Sequence, residues 1–279
     1  MSTRIALRQL ADLSSSQWGM FTTAQAAAQD VSRLDLARLA GSGDIIRLAN
    51  GVYRNAGSPS DEYEELRVAW LSTDPRRLAE VRLGDQLPSV VASGASAAWL
   101  HHIGDLPADR HEFTVPTRRQ SQRPEIRYRM RQLHEAEVTV VHGLPATTPE
   151  RTIADLVDAR TDLTLVADIL SEAILKETFN LDRLAEALAP LAARNGFDQD
   201  DGKALRRHLL ELAEMDLPSL AHQIASERDL SEAILQVVTA SPAPNQAAAR
   251  FDSRIVRLSR AAVASAQRST DRKNGEGHE

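Results

Sequence analysis

The sequence predicts an α+β protein, mostly α: an N-terminal winged helix-turn-helix, a small α+β middle region and a helical C-terminal region. Three observations predict it. Apolar spacing of helical period, broken by small residues, divides residues 4–43 into three short helices. An Asn-Gly pair between two β-prone runs follows them. From Thr147 onward the pattern is helical throughout.

The first helix is carried by Ile5, Leu7, Leu10 and Leu13, and Ser14, Ser15 and Ser16 break it. Thr22 reads as the N-cap of an Ala-rich helix over Thr23 to Gln29. Asp30-Val31-Ser32 is a turn ending on a second cap residue. The third helix, Arg33 to Ala40, turns Leu36 and Leu39 inward beside Val31 and stops at Gly41-Ser42-Gly43. Asp44 to Arg54 then reads as a hairpin about Asn50-Gly51, where a type I′ turn demands φ > 0 at both central residues.

Gly57 to Ser60 is a linker, and 61–83 is helical. Leu87 to Ala92 is a short strand. Ser93 caps a helix that runs to about His102, with Gly104 ending it. Glu112 to Val115, Glu125 to Met130 and Val138 to His142 read as strands. Either Thr147 or Thr148 caps the next helix, with Pro149 in its first turn and Glu150 three residues after Thr147. Further helices are expected near 163–177, 181–193, 203–214, 219–239 and 245–266, ahead of a disordered tail. The expected divisions are a head at 1–57, a middle domain at 61–148, a helical region at 149–266 and a tail at 267–279. LSEAIL occurs at 170–175 and again at 230–235. The flanks differ, which favours shared helix grammar over a duplicated unit.

Composition narrows the chemistry. With no cysteine, disulfides, thiolate metal sites and thiol catalysis are excluded. No stretch approaches 18 apolar residues and the N-terminus has no signal-type core, so a cytoplasmic protein without membrane partner is expected. There is no Walker loop and no dinucleotide fingerprint, and Ser93-Gly94-Ala95-Ser96 lacks the Gly-x-Ser-x-Gly elbow. His101 and His102 are adjacent on a helix and diverge by about 100°, which does not suit chelation. No enzyme activity, metal or cofactor is expected.

Charge is distributed unevenly. Of 33 basic residues, 30 are Arg; residues 1–148 are net zero, and the whole net charge of −6 falls in 149–279. This suits DNA at one end and a different partner at the other. A recognition helix enters the major groove by its N-terminal end, so Ser32, Arg33 and Asp35 should point outward, with Leu34 beside them and Arg38 one turn on. Arg bonds guanine bidentately, and Ser holds phosphate. Asp35 repels phosphate, so it either reads cytosine or pairs with Arg38. Thr22 and Thr23 are placed to touch the DNA backbone, and the wing offers Arg47, Asn50 and Arg54. Segment 110–131 holds seven Arg against Glu112 and Glu125, among them Arg118 and Arg119. Arg127, Arg129 and Arg131 alternate along one strand face, with Ile126, Tyr128 and Met130 opposite. That face is a second phosphate-contacting surface, a contact for protein or RNA, or a plain solvated edge.

The string TTAQAAAQDVSRLDLARLAGSGDIIRLANGVYR resembles the N-terminal domain of AbiEi-type antitoxins, including the wing that ends in GVYR. ASGASAAWLHHIGDLP, FTVP and LPATTPERTIADLV are similar to the middle domain of the same family, so the likeness spans about residues 5–160. The resemblance implies an antitoxin that neutralises a nucleotidyltransferase-like toxin encoded beside it. It also implies a transcriptional repressor of its own operon, binding double-stranded operator DNA through the winged head. Toxin binding beyond residue 160 is implied by the family together with the acidic bias. A stand-alone winged-helix regulator is the alternative. A nuclease would need a strand-borne Asp followed by Glu-x-Lys. No such set is found, and Glu172 and Lys176 form an i, i+4 helical pair. No dimerisation motif is present, although a dimer on inverted half-sites fits this head.

Overall fold

Capping decides where the first helices begin. In a computed structural model that describes residues 3–106, 109–176 and 179–216, helix α1 spans Thr3–Ser14, strand β1 Met20–Thr22, α2 Thr23–Ala28 and α3 Arg33–Gly41. Thr22 caps α2: its hydroxyl accepts the Gln25 N–H at 3.1 Å while the Gln25 side chain accepts the Thr22 N–H at 2.9 Å. Ser32 and Asp35 build the same reciprocal box at the start of α3. Strands β2, Ile45–Ala49, and β3, Val52–Asn55, follow, and the sheet runs β1-β3-β2, antiparallel throughout. Beneath it Ala6, Leu10, Phe21, Ala26, Val31, Leu36, Leu39 and Ile45 form one core.

The hairpin departs from expectation at its turn. Only Gly51, at φ +78°, lies in the left-handed region; Asn50 does not, and the β2–β3 register shifts between Arg47 and Ala49. The strain of a type I′ turn is replaced by a bulge. Both central residues have φ > 0 instead at His142-Gly143, at 50° and 81°. Ile5, expected inward, is exposed; Ala6, Leu10 and Ser14 are the buried positions of α1.

The region expected to be helical over 61–83 is two helices, α4, Glu64–Thr73, and α5, Ala79–Leu83. Pro75 explains the break, because it disfavours helical ψ at Asp74, which sits at φ −141°, ψ 82°. Helix α4 is buried almost all round: Leu66, Arg67, Val68, Ala69, Trp70, Leu71 and Thr73 are buried. Strand β4 is only Val91–Ala92, and α6 is Gly94–Leu100. Ser93 stands at the N-cap position of α6, but its buried hydroxyl makes no cap bond.

Strands β5, His111–Val115, β6, Ile126–Met130, β7, Val138–Val141, and β8, Leu144–Thr147, complete a mixed five-stranded sheet ordered β6-β5-β4-β8-β7. β5 and β6 are parallel, joined by residues 116–125 with no helix between them. β1 and β8 were not expected from sequence. Met20 and Val52 from the three-stranded sheet share a core with α4 residues Leu66 and Trp70 and with Phe113, Ile126 and Ala146 from the five-stranded one.

Helix α7 spans Pro149–Asp158, and the Arg151 N–H donates to the Thr148 hydroxyl at 3.4 Å, so Thr148 rather than Thr147 takes the cap role. The chain's contacts divide it into Met1–Asp155 and Leu156–Glu279. In the second unit α8, Leu163–Ile174, α9, Leu181–Leu188, and α10, Gly202–Leu212, pack through Val166, Leu170, Leu184, Leu188, Leu205 and Leu209. Gly202 lets α10 meet α9 closely, since a Cβ there would sit 2.0 Å from the Ala185 carbonyl oxygen. The helix expected over 181–193 stops at Leu188 and continues as short 3₁₀ turns to Asn195. The helices expected at 219–239 and 245–266, the second LSEAIL copy and the tail lie outside the described residues.

Candidate nucleic-acid interface

The fold sorts the predicted residues of the head into those that hold it together and those it presents. Thr22 is fully buried; besides capping α2, its hydroxyl donates to the Pro75 carbonyl, so it has no surface to offer a phosphate. Arg54 is also inside: its guanidinium is 3.0 Å from the Glu64 carboxylate, on the inward face of β3 rather than on the wing. Ser32 and Asp35 are committed to the cap. The Ser32 hydroxyl donates to Asp35 Oδ2 at 2.6 Å and accepts the Asp35 N–H at 3.1 Å. These Ser32 bonds hold the Asp35 carboxyl below the usual carboxylate range, and Arg38 at 3.8 Å adds to the effect.

What α3 turns to solvent is therefore Arg33, Leu34, Ala37 and Arg38. Leu36 and Leu39 anchor the opposite face, which fixes this orientation. Arg38 has 69% of its side chain exposed, and Leu34 is 60% exposed, a large apolar residue at the entry end of the helix. On the wing Arg47 and Asn50 are exposed, and an Arg47 N–H donates to the Asn50 side-chain oxygen at 3.3 Å. Thr23 is half-buried beside the wing turn, its N–H donating to the Gly51 carbonyl at 2.9 Å.

The Arg-rich segment divides in the same way. The Glu112 carboxylate of β5 takes both Arg127, at 3.2 Å, and Arg129, at 3.4 Å, of β6. Arg131 lies 3.6 Å from Asp155. Arg127 keeps 54% of its side chain exposed and Arg129 only 19%, so the three guanidiniums do not make one bare positive face. On the opposite face Ile126 is buried, but Met130, expected to pack, is exposed.

The connection between β5 and β6 carries the larger surprise. Arg118 is exposed on it. Arg119 donates to the Thr73 carbonyl and its guanidinium lies 5.2 Å from the Tyr128 ring centre. Arg123 donates to the Ser72 hydroxyl at 2.9 Å and to the Asn50 carbonyl at 2.6 Å, which ties this loop to the tip of the wing. Sequence reasoning counted Arg123 among the basic residues but had no signal for that meeting, which is made only by tertiary structure.

His101 and His102 are structural. His101 Nε2 bonds the Thr147 carbonyl at 2.7 Å, and His102 Nε2 the Tyr63 hydroxyl at 2.8 Å, where His142 also arrives at 3.1 Å. Among the described residues no group of three or more His, Asp or Glu is arranged to hold a metal ion, and no helix is long and apolar enough to cross a membrane.

Residues 8–56 match the family model described as transcriptional regulator, AbiEi antitoxin, and residues 90–212 match the AbiEi antitoxin C-terminal domain. The second match carries the likeness past residue 160, where no motif was readable, through α8, α9 and α10. No curated protein matches the chain. The two matched regions cover more than half of the sequence and follow the order seen in the fold, and the chain belongs to the AbiEi antitoxin family.

Proposed function

We propose that this antitoxin-family regulator represses its own operon by binding operator DNA through residues 1–57, and that it neutralises a nucleotidyltransferase-like toxin encoded beside it. One observation carries the DNA reading. The outward face of α3 presents Arg33, Leu34, Ala37 and Arg38 next to the wing, and packing the core needs none of them outside. A helix face that exposes two guanidiniums and a leucine, held rigid by a capping box, suits a major groove, with Arg47 of the wing on the flanking backbone. Arg118 and Arg127 extend the positive surface, whereas Thr22, Arg54, Arg129 and Arg131 belong to the scaffold. The middle region, 61–148, supports the head, and the acidic C-terminal region, 149–266, takes the toxin.

The test is the salt dependence of binding to a duplex from the gene's own promoter. Log affinity should fall steeply and linearly with log salt, and Arg47→Ala and Arg127→Ala should each lower that slope by about one. A flat response removes the DNA reading. Co-expression with the adjacent gene product tests the other half: rescue of growth is expected, and its failure leaves a regulator without a toxin partner.

A further inference from the structure

Between the winged head and the β5–β6 connection lies a cavity of about 330 Å³. Its polar lining is Thr23, Arg33, Asn50, Ser72 and Arg123; the rest is glycine and small apolar residues, and among the described residues no carboxylate lines it. We propose that this cavity seats one phosphate group of the DNA backbone, clamped between Arg33 of α3 and Arg123 of the loop. The assignment rests on the DNA reading above and changes one part of it, moving Arg33 from base reading to backbone contact.

The donors are in place. Arg123 carries five N–H groups and uses one on Ser72 and one on the Asn50 carbonyl, so three remain for an anion. Those two bonds fix its fork in position, which lowers the entropy lost when a phosphate arrives. Ser72 is a support and not a ligand: its hydroxyl accepts from Arg123 and donates to the Val68 carbonyl at 2.7 Å. Arg47 holds the Asn50 side-chain oxygen, so the Asn50 amide N–H groups are left as donors. Glu125 stands 4.0 Å from Arg123 with half its side chain in solvent, and it offsets only part of the charge. Arg33 makes no side-chain hydrogen bond or ion pair with a described residue.

The walls favour a diester. Ala24, Ala27, Val52 and Pro75 give the cavity an apolar side, which suits the sugar flanking a backbone phosphate better than a fully hydrated ion. Gly51 gives the rim its left-handed turn at φ +78°, a backbone conformation L-residues avoid, and a Cβ there would make only ordinary contact with the Thr23 hydroxyl oxygen, at 3.6 Å.

The experiment uses full-length protein and fluorescence anisotropy on promoter and unrelated duplexes. Arg33→Gln and Arg123→Gln should each weaken binding roughly tenfold near 0.1 M salt and lower the salt slope by about one, equally on both duplexes. Arg123→Lys should keep most of the slope. Ser72→Ala, which loses the support but no charge, should leave the slope unchanged and so separates charge from a loosened wing. Neutral methylphosphonate linkages placed one at a time should identify one position that costs wild type roughly tenfold and Arg123→Gln nothing further. If Arg33→Gln instead relaxes preference at one base pair with the slope intact, or if no linkage couples to Arg123, the seat is wrong. Should wild type bind no duplex at all, the DNA reading fails by itself. Titration with inorganic phosphate then decides the seat: amide shifts at Asn50 and Gly51 that vanish in Arg123→Gln keep it for free phosphate, and their absence removes it.

Discussion

Asp35 shows how one part of a residue's role can be legible and another part not. A carboxylate on a recognition helix repels phosphate, so cytosine reading or a pair with Arg38 are both reasonable from sequence. The reciprocal bonds with Ser32 decide for the cap, with the Arg38 pair at 3.8 Å as a minor addition. Ser32→Ala should cost about 1 kcal/mol of stability, read as a drop in thermal midpoint. The pH dependence has a definite sign. The Asp35 carboxyl is depressed in the folded state, so its contribution is complete above its unfolded pKa near 3.8 and is lost as pH falls through the folded value. Asp35→Asn should therefore remove part of the acid-limb decline and leave the neutral limb parallel to wild type. Leu34 is the complementary case. It is 60% exposed, so Leu34→Ala should change stability by less than about 0.5 kcal/mol. If Leu34 packs on a thymine methyl, replacing that thymine by uracil should cost wild type roughly fourfold in affinity, from about 0.8 kcal/mol per buried methyl-sized group, and the alanine variant nothing. Equal losses in both proteins would rule Leu34 out as the reader.

Among the elements, those set by local chemistry were legible. Caps at Thr22 and Ser32, the glycine stop after α3, the Asn50-Gly51 reversal and the Thr148-Pro149 start all lie within a few residues of the bonds that make them. What was not legible depends on distant partners. β1 is three residues long and becomes a strand only because β3 lies beside it. β8 is buried on both faces between β4 and β7, so LPAT shows no alternation, and Pro145 reads as a breaker. The site divided along the same line. The exposure of Arg33, Arg38 and Arg47 follows from periodicity on a short helix and wing; the burial of Arg54 against Glu64 and the docking of Arg123 on the wing do not. The His142-Gly143 turn is testable at this scale. Gly143→Ala should cost about 1–2 kcal/mol for its positive φ, and more because the new Cβ would stand 3.0 Å from Trp18 Nε1. Trp18 fluorescence should shift with it; an unchanged melting midpoint would show that the turn tolerates a side chain.

For the molecule as a whole, the matched families begin and end in different places from the packing. The regulator match stops at residue 56 and the antitoxin match starts at 90, and α4 lies in the gap between them. A largely buried helix of the first unit thus falls in the stretch between the two matches. Met20 and Val52 rest against it, Glu64 pairs with Arg54, and the Arg67 guanidinium lies 4.9 Å from the Trp18 ring centre. Exposing Met20 and Val52 would forfeit about 1.5–3 kcal/mol each, a large share of what a domain this small has to spare. A fragment ending at residue 57 is therefore expected to melt broadly or aggregate, checked by calorimetry. A sharp, reversible transition would show that it folds alone.

The burial of α4 almost all round has a consequence for how such a protein evolves. A winged head that sits on a floor supplied by later sequence is not an interchangeable cassette. Swapping in the reading head of a relative would graft a new surface onto an old foundation, and the graft would succeed only if the underside were carried across with it. On the proposed DNA-binding role, preference should then drift by substitution along one helix face more readily than by exchange of whole heads.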